Sequence, residues 1–213
     1  MSEAQNIHAW RIALFLAPLL GFVALAGWVA AGGAGDFDAG FRAFTSDLVA
    51  SSLTSAMLAL THLGSVVFVT AVSIAAFAGF YVSGRKSSAW LLAVTMAGSA
   101  VLENGLKFAL HRARPEPFFG LVAPESYSFP SGHALFSACL YGAIAWHLAA
   151  NRDEPLGRLA IWTLAIALIG AIGFSRVYLG FHYPTDVLGG WLVAAAWLGA
   201  VRVWVSDRMS RGA

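Results

Sequence analysis

Ser175-Arg176-Val177-Tyr178-Leu179-Gly180-Phe181-His182-Tyr183-Pro184-Thr185-Asp186 is a short polar crossing between two long apolar runs. It puts a fixed cation, an imidazole and a carboxylate within twelve residues, far more ionisable chemistry than a passive turn between membrane helices needs. The crossing reads as half of an active site, and the apolar runs that flank it set the fold. Of 213 residues, 59% are hydrophobic and 11% charged, with a mean hydropathy of +0.71, far more apolar than an ordinary soluble domain. The expectation is an all-α integral membrane protein. A net charge of +2 is too mild, and the basic residues too scattered, to suggest nucleic acid as a partner. Cys139 is the only cysteine, which excludes an intrachain disulfide and marks it as a small apolar packing residue.

Outward from the crossing, the apolar runs predict six transmembrane helices in a bundle. The first spans Ile12 to Gly32 and reads as an uncleaved anchor. Asp36, Asp38, Arg42 and Asp47 then mark an aqueous loop. Leu53 to Val82 is a longer run that begins at the interface; within it His62 reads as satisfied inside the bundle. A third helix covers Ala89 to about Ala109, continues as a polar extension to Arg114 and is stopped by Pro115. Pro115 to Pro130 holds four of the seven prolines and reads as a stiff, irregular lid. A fourth helix runs from about His133 to Ala150, a fifth from about Leu159 to Phe174, and a sixth from near Asp186 to Val205. No composition shift or repeat divides the chain, so residues 1–213 are expected to form a single domain.

The distribution of lysine and arginine sets the expected orientation. Arg11, Arg85, Lys86, Arg152, Arg158, Arg202, Arg208 and Arg211 fall on one side by helix count, eight of the thirteen basic residues. The positive-inside rule then makes both termini cytoplasmic in a multi-pass inner (cytoplasmic) membrane protein. The segments between helices three and four and between helices five and six emerge together on the opposite face, toward the periplasm or exterior. That shared face collects the chemistry.

Lys107 and Arg114 are seven residues apart, two turns of the expected helical extension, so they project from one stripe and can reach a single anion. Arg112, off that stripe, reads as a solvated or headgroup-facing charge. Glu103, four residues before Lys107, is spaced to hold that lysine. Pro130-Ser131-Gly132-His133 precedes helix four: Ser131 is suited to cap it, Gly132 to admit a ligand close to the backbone, and the helix-end amides to bind an anion. Arg176 adds a third fixed cation, His182 an imidazole nucleophile or base, and Asp186 an acceptor for the other ring nitrogen. Pro184 fits the first turn of helix six. Three cations with helix-end amides imply a phosphate-like oxyanion, whose transfer needs mainly positioning and charge neutralisation. No carboxylate cluster suited to magnesium is visible on this face, and the adjacent arginines disfavour zinc, so neither a metal nor a cofactor is expected.

Lys107 followed by Arg114-Pro115, then Pro130-Ser131-Gly132-His133, then Ser175-Arg176 with His182 and Asp186, resembles the three-part signature of the type 2 phosphatidic acid phosphatase (PAP2) superfamily. The signature covers residues 107–186 and matches in order and spacing. The resemblance implies a metal-independent lipid phosphate or diphosphate phosphatase embedded among membrane lipids. His182 would form a phosphohistidine, oriented by Asp186, while His133 would protonate the leaving oxygen and later activate water. Lys107, Arg114, Ser131, Gly132 and Arg176 would bind phosphate, with Glu103 and Ser175 in support; Ser175 could equally bond the local backbone. Substrates of this kind include phosphatidic acid, phosphatidylglycerophosphate and undecaprenyl diphosphate. A lipid A phosphatase or a phosphotransferase would use the same residues. Soluble vanadium haloperoxidases share the signature but not the membrane helices, and a complete catalytic set argues against a non-catalytic lipid transporter or binder.

Overall fold

The computed structural model describes the backbone of residues 3–48 and 50–211 and the side chains of residues 12–48 and 50–204. The side chains of Arg11, Arg208 and Arg211, used above for orientation, lie outside the described residues. The described residues form eight helices and no strand: α1 (Glu3–Ala30), α2 (Gly35–Asp47), α3 (Ser51–His62), α4 (Val66–Val82), α5 (Lys86–Leu110), α6 (Gly132–Ala150), α7 (Pro155–Tyr178) and α8 (Pro184–Arg211). Five segments are long and apolar enough to span a membrane: Ile12–Ala30, Lys86–Leu110, Gly132–Ala150, Pro155–Tyr178 and Pro184–Trp204. The α3 and α4 pair, bent by 48° at a short break, makes a sixth when taken as one span.

Side-chain distribution is inverted relative to a soluble bundle. Val82 is 87% exposed, Val67 82% and Val101 74%, while Ser99, Ser128, Ser131, Ser137, Ser175 and Thr185 are fully buried. Large apolar residues thus face outward, as hydrocarbon requires, and small polar ones sit between helices. The central core joins Phe22 of α1, Leu92 of α5, Phe129, and Leu135, Cys139 and Leu140 of α6 to Val193 of α8. Cys139 is buried there as the apolar filler expected. α8 packs along α1 and α6, and α6 along α7, so the start of α6 and the turn between α7 and α8 lie side by side.

Four elements depart from the sequence expectations, α2 and α5 for local reasons. Residues expected as an aqueous loop form α2, with Asp38 1% exposed. Phe37, Phe41, Phe44 and Leu48 recur at helical spacing, so the segment is amphipathic with its acid turned inward. The third expected helix, α5, stops at Leu110 instead of reaching Arg114. His111 takes a left-handed φ of 48° while its amide bonds the Lys107 carbonyl, and Pro115 excludes Arg114 from helical geometry. The fifth, α7, begins at Pro155 and continues four residues past Phe174 to Tyr178, so Arg176 lies in its last turn. The sixth, α8, starts at Pro184 and its backbone remains helical to Arg211.

The run from Leu53 to Val82 is broken at Leu63-Gly64-Ser65. Ser65 caps α4 by accepting from the Phe68 amide at 3.3 Å, and Tyr141 of α6 donates to the Leu63 carbonyl at 2.8 Å. His62 is exposed rather than satisfied within the bundle; the neighbouring Thr61 is the residue turned inward.

Candidate active site

Four chain segments converge at one end of the bundle. The segment after α5 supplies Arg112 and Arg114, the lid supplies Ser128, and the start of α6 supplies Ser131 and His133. The close of α7 and start of α8 supply Arg176, His182 and Asp186. Backbone bonds tie these segments together: the Phe118 amide donates to the Leu179 carbonyl at 3.1 Å, Ser128 to Arg112 at 2.8 Å, and Ser131 to Asp186 at 2.9 Å. Arg42 of α2 adds a clamp, donating to the carbonyls of Glu116 at 2.8 Å and Gly180 at 3.2 Å. Gly180 holds φ at +78°, and a Cβ there would stand 2.5 Å from the Phe118 amide nitrogen, so only glycine lets the crossing touch the lid.

His182 is 1% exposed, and its two ring nitrogens have different partners. Arg114 Nη1 lies 3.0 Å from Nε2. Because a guanidinium can only donate, Nε2 must carry the lone pair and Nδ1 the proton. Nδ1–H then faces Asp186 Oδ2 at 3.2 Å and the Ser128 hydroxyl oxygen at 3.3 Å, while Ser128 donates to the same Oδ2 at 2.5 Å. The Tyr183 amide also donates to Oδ2, at 2.9 Å. Burial pushes the imidazole down to about 4, with Arg176 and Arg114 acting in the same direction and Asp186 against it. Burial also lowers Arg114 from its ordinary value, opposed by Asp186 and Glu103.

Arg114 is further fixed by bonds to the Ser126 carbonyl at 2.7 Å, the Ser126 hydroxyl at 2.9 Å and the Phe181 carbonyl at 3.0 Å. Arg176, 5% exposed, donates to Thr61 at 2.7 Å and stacks over Phe181, leaving its Nε without a partner among the described residues. His133 lies within electrostatic range of Arg176, His182, Lys107 and Arg114. Lys107 makes the expected ion pair with Glu103, at 2.5 Å. The Glu103 carboxylate also lies against Gly132, where a Cβ would meet Oε1 at 2.7 Å.

Most residues expected at the site do meet, by routes partly different from those expected. Lys107 and Arg114 do not share a helical stripe, because α5 ends between them; Arg114 arrives on the extended segment before Pro115. Arg112 is not a solvated charge: it reaches Asp186 Oδ1 and Asp38 Oδ2 at 2.6 Å each, and Thr185 at 2.7 Å. Ser131 is the residue preceding α6, yet its hydroxyl makes no capping bond and is buried without a partner among the described residues. Ser175 donates to the Ile172 carbonyl at 2.6 Å, the local backbone bond that was one of its two readings. Sequence reasoning missed Asp38, Thr61, Ser128 and Thr185 as neighbours of the site; the helical spacing of the aromatics around Asp38 was the available signal. Among the described residues, no three His, Cys, Asp or Glu side chains are grouped to hold a metal. A separate apolar cavity of about 500 Å³, lined by Leu14, Leu92, Trp146 and Leu198 among others, contains none of these site side chains.

A family model described as the PAP2 superfamily matches residues 88–210, more than half of the chain and all of the converging segments from α5 onward. This chain belongs to the PAP2 superfamily. Phosphatidylglycerophosphatase B of Bacillus subtilis is 34% identical over 139 residues, covering 65% of this chain and 68% of that protein. Undecaprenyl-diphosphatase of Sulfolobus acidocaldarius is 30% identical over 121 residues, 54% of each chain, so the match spans about half of that relative. The crystal structure of a transmembrane PAP2-type phosphatidylglycerolphosphate phosphatase from Bacillus subtilis superposes with a TM-score of 0.84 at 27% identity. That likeness covers 92% of this chain and 97% of the other. The protein is thus a PAP2-type phosphatase with an all-helical, multi-pass membrane fold, as its three motifs led one to expect.

Proposed function

We propose that this PAP2 protein is a metal-independent lipid phosphate phosphatase that acts through a phosphohistidine at His182, with residues 1–213 working as one domain. The observation that carries the reading is the setting of His182, with Nε2 3.0 Å from Arg114 Nη1 and Nδ1 3.2 Å from Asp186 Oδ2, from which a lone pair on Nε2 and a proton on Nδ1 follow. Nε2 attacks phosphorus, forming an N–P bond as the P–O bond to the lipid breaks. His133, in its protonated form, gives a proton to the departing oxygen. Water then attacks phosphorus as His133 takes its proton, the N–P bond breaks, and inorganic phosphate leaves. Asp186 keeps the Nδ1 proton throughout and stabilises the positive ring. Lys107, Arg114 and Arg176 neutralise the phosphoryl oxygens, with the Ser131 hydroxyl and Gly132 amide as donors. Ser131 Oγ and Arg176 Nε, buried without a partner among the described residues, support those assignments, since such groups ordinarily find an acceptor. Glu103 holds Lys107 in place.

The names of the relatives favour phosphatidylglycerophosphate first and undecaprenyl diphosphate second as substrate. Both termini are assigned to the cytoplasm and the site to the periplasmic or exterior face, from the lysine and arginine count. The test is phosphate release in detergent from phosphatidic acid, phosphatidylglycerophosphate, undecaprenyl diphosphate and lipid A, with EDTA present. Turnover should persist in EDTA and disappear in His182→Ala, and an acid-labile, base-stable phosphoenzyme should accumulate in His133→Ala. Unchanged turnover in a folded His182→Ala variant sinks the mechanism.

A further inference from the structure

We propose that Asp38 and Arg112 form a positioning couple that holds Asp186, and through it His182, in register for the reaction. The inference rests on the reading of His182 as nucleophile and concerns residues outside the three sequence motifs. Asp186 is fully buried, and its two oxygens have different surroundings. Oδ2 carries the load toward His182, Ser128 and the Tyr183 amide. Oδ1 is held by Arg112 Nη1 at 2.6 Å. The other end of the guanidinium fork, Nη2, lies 2.6 Å from Asp38 Oδ2. Asp38 in turn accepts from the Thr185 amide at 3.1 Å and the Thr185 hydroxyl at 2.7 Å. α2 therefore grips the first turn of α8 twice, once through its backbone and once through the carboxylate that faces the nucleophile.

The charges make this a couple rather than two separate bonds. Two buried carboxylates flank one guanidinium, and the Tyr183 ring lies 4.2 Å over it. Removing Arg112 leaves two buried carboxylates uncompensated, whereas removing the Asp38 charge leaves Arg112 to Asp186 alone. A lysine cannot replace the arginine, because a point charge does not span two carboxylates as a planar fork does. The other charged or titratable groups facing His182 are Arg114 after α5, His133 on α6 and Arg176 on α7, and none of them touches Asp186 Oδ1.

Rates across pH for Arg112→Gln, Arg112→Lys, Asp38→Asn and the Asp38→Asn/Arg112→Gln double variant test the proposal, beside His182→Ala and detergent melting curves. Arg112→Gln should lower kcat on the order of 10²-fold with KM unchanged, because a misaligned nucleophile is lost in the transition state and not in binding. Its acid limb should move to higher pH, since the uncompensated Asp186 charge favours the imidazolium. Asp38→Asn should move the limb to lower pH, because the Arg112 charge then falls on Asp186 alone. Arg112→Lys should recover only part of kcat, and guanidinium ion added to Arg112→Ala should recover turnover. The double variant, with one unpaired carboxylate instead of two, should regain part of the melting temperature lost in Arg112→Gln but not kcat. Limbs that stay in place, or kcat values that simply follow melting temperature across the series, overturn the couple. Should Arg112→Gln fail to fold, the isosteric Asp38→Asn and its limb decide alone. Turnover surviving His182→Ala refutes the nucleophile reading instead; a dead His182→Ala with wild-type rates and limbs in the other variants refutes only the couple.

Discussion

Replacing Gly64 with alanine adds one methyl group at the break between α3 and α4, between Ile172 and the His133 ring, and should disable the enzyme. The new Cβ would stand 2.5 Å from Ile172 Cγ2 and 3.3 Å from His133 Cδ2. Carbon atoms settle at about 3.5–4.0 Å, so the break must back away from α7 by about 1 Å or Ile172 must leave its rotamer. Ile172 is fully buried and β-branched within a helix, where its χ1 has one strongly preferred value, so the break is the part that yields. Thr61 lies three residues before Gly64 and bonds Arg176 at 2.7 Å; a 1 Å retreat breaks that bond and releases the guanidinium. Overpacking costs about 1–3 kcal/mol of stability. If Arg176 positions phosphate as proposed, its displacement by about 1 Å costs on the order of 10² in rate. The assay is kcat/KM for phosphate release, with melting temperature in the same detergent. Adding Ile172→Ala to Gly64→Ala removes Cγ2 and should restore rate, whereas adding Ile172→Val keeps that atom and should not. An unchanged kcat/KM in Gly64→Ala, or equal rescue by the two second changes, refutes the reasoning.

Gly180→Ala combines a positive φ of +78° with a Cβ 2.5 Å from the Phe118 amide nitrogen, a backbone atom that cannot swing aside. Stability should fall by more than the roughly 1–3 kcal/mol that left-handed strain alone costs, read as a sharp drop in melting temperature. Ser128→Ala removes the hydroxyl that donates to Asp186 Oδ2; a hydrogen bond to a charged group contributes about 1.5–3 kcal/mol, so kcat should fall tenfold or more while KM holds. His182 is pushed below its ordinary 6.5 to about 4, so the unfolded chain takes up that proton first. Its contribution to stability is full above pH 6.5 and is lost as pH falls from there through about 4. The neutral ring persists over the same range, so the acid limb of kcat/KM should lie near pH 4; a limb at 6.5 contradicts the burial argument.

The long apolar runs made the spans legible, because hydrocarbon leaves a transmembrane segment few alternatives to an apolar helix. The three motifs were legible for the same reason: ionisable side chains near membrane depth need a function. What was misread lies at helix ends, where one residue's backbone decides direction. His111 turning left-handed moved Arg112 from an expected solvated face into contact with Asp186. The presence of Pro115 already argued against a helical Arg114, and that signal outweighs a seven-residue spacing. Asp38 was hidden by the glycines and charges around it, which resemble a loop in composition while Phe37, Phe41 and Phe44 keep helical period. The choice between His62 and Thr61 at the break rests on helix rotation, which composition cannot register.

One bond at His182 has a temporal meaning. A lone pair can be used once, and in the resting protein that of His182 Nε2 is already engaged by Arg114. On the proposed mechanism the ring is stoppered until something more attractive than imidazole claims the guanidinium. A phosphate is such a partner. The same arginine that steadies the idle nucleophile is then drawn off by the group to be attacked, so that arming the enzyme and loading it become a single event.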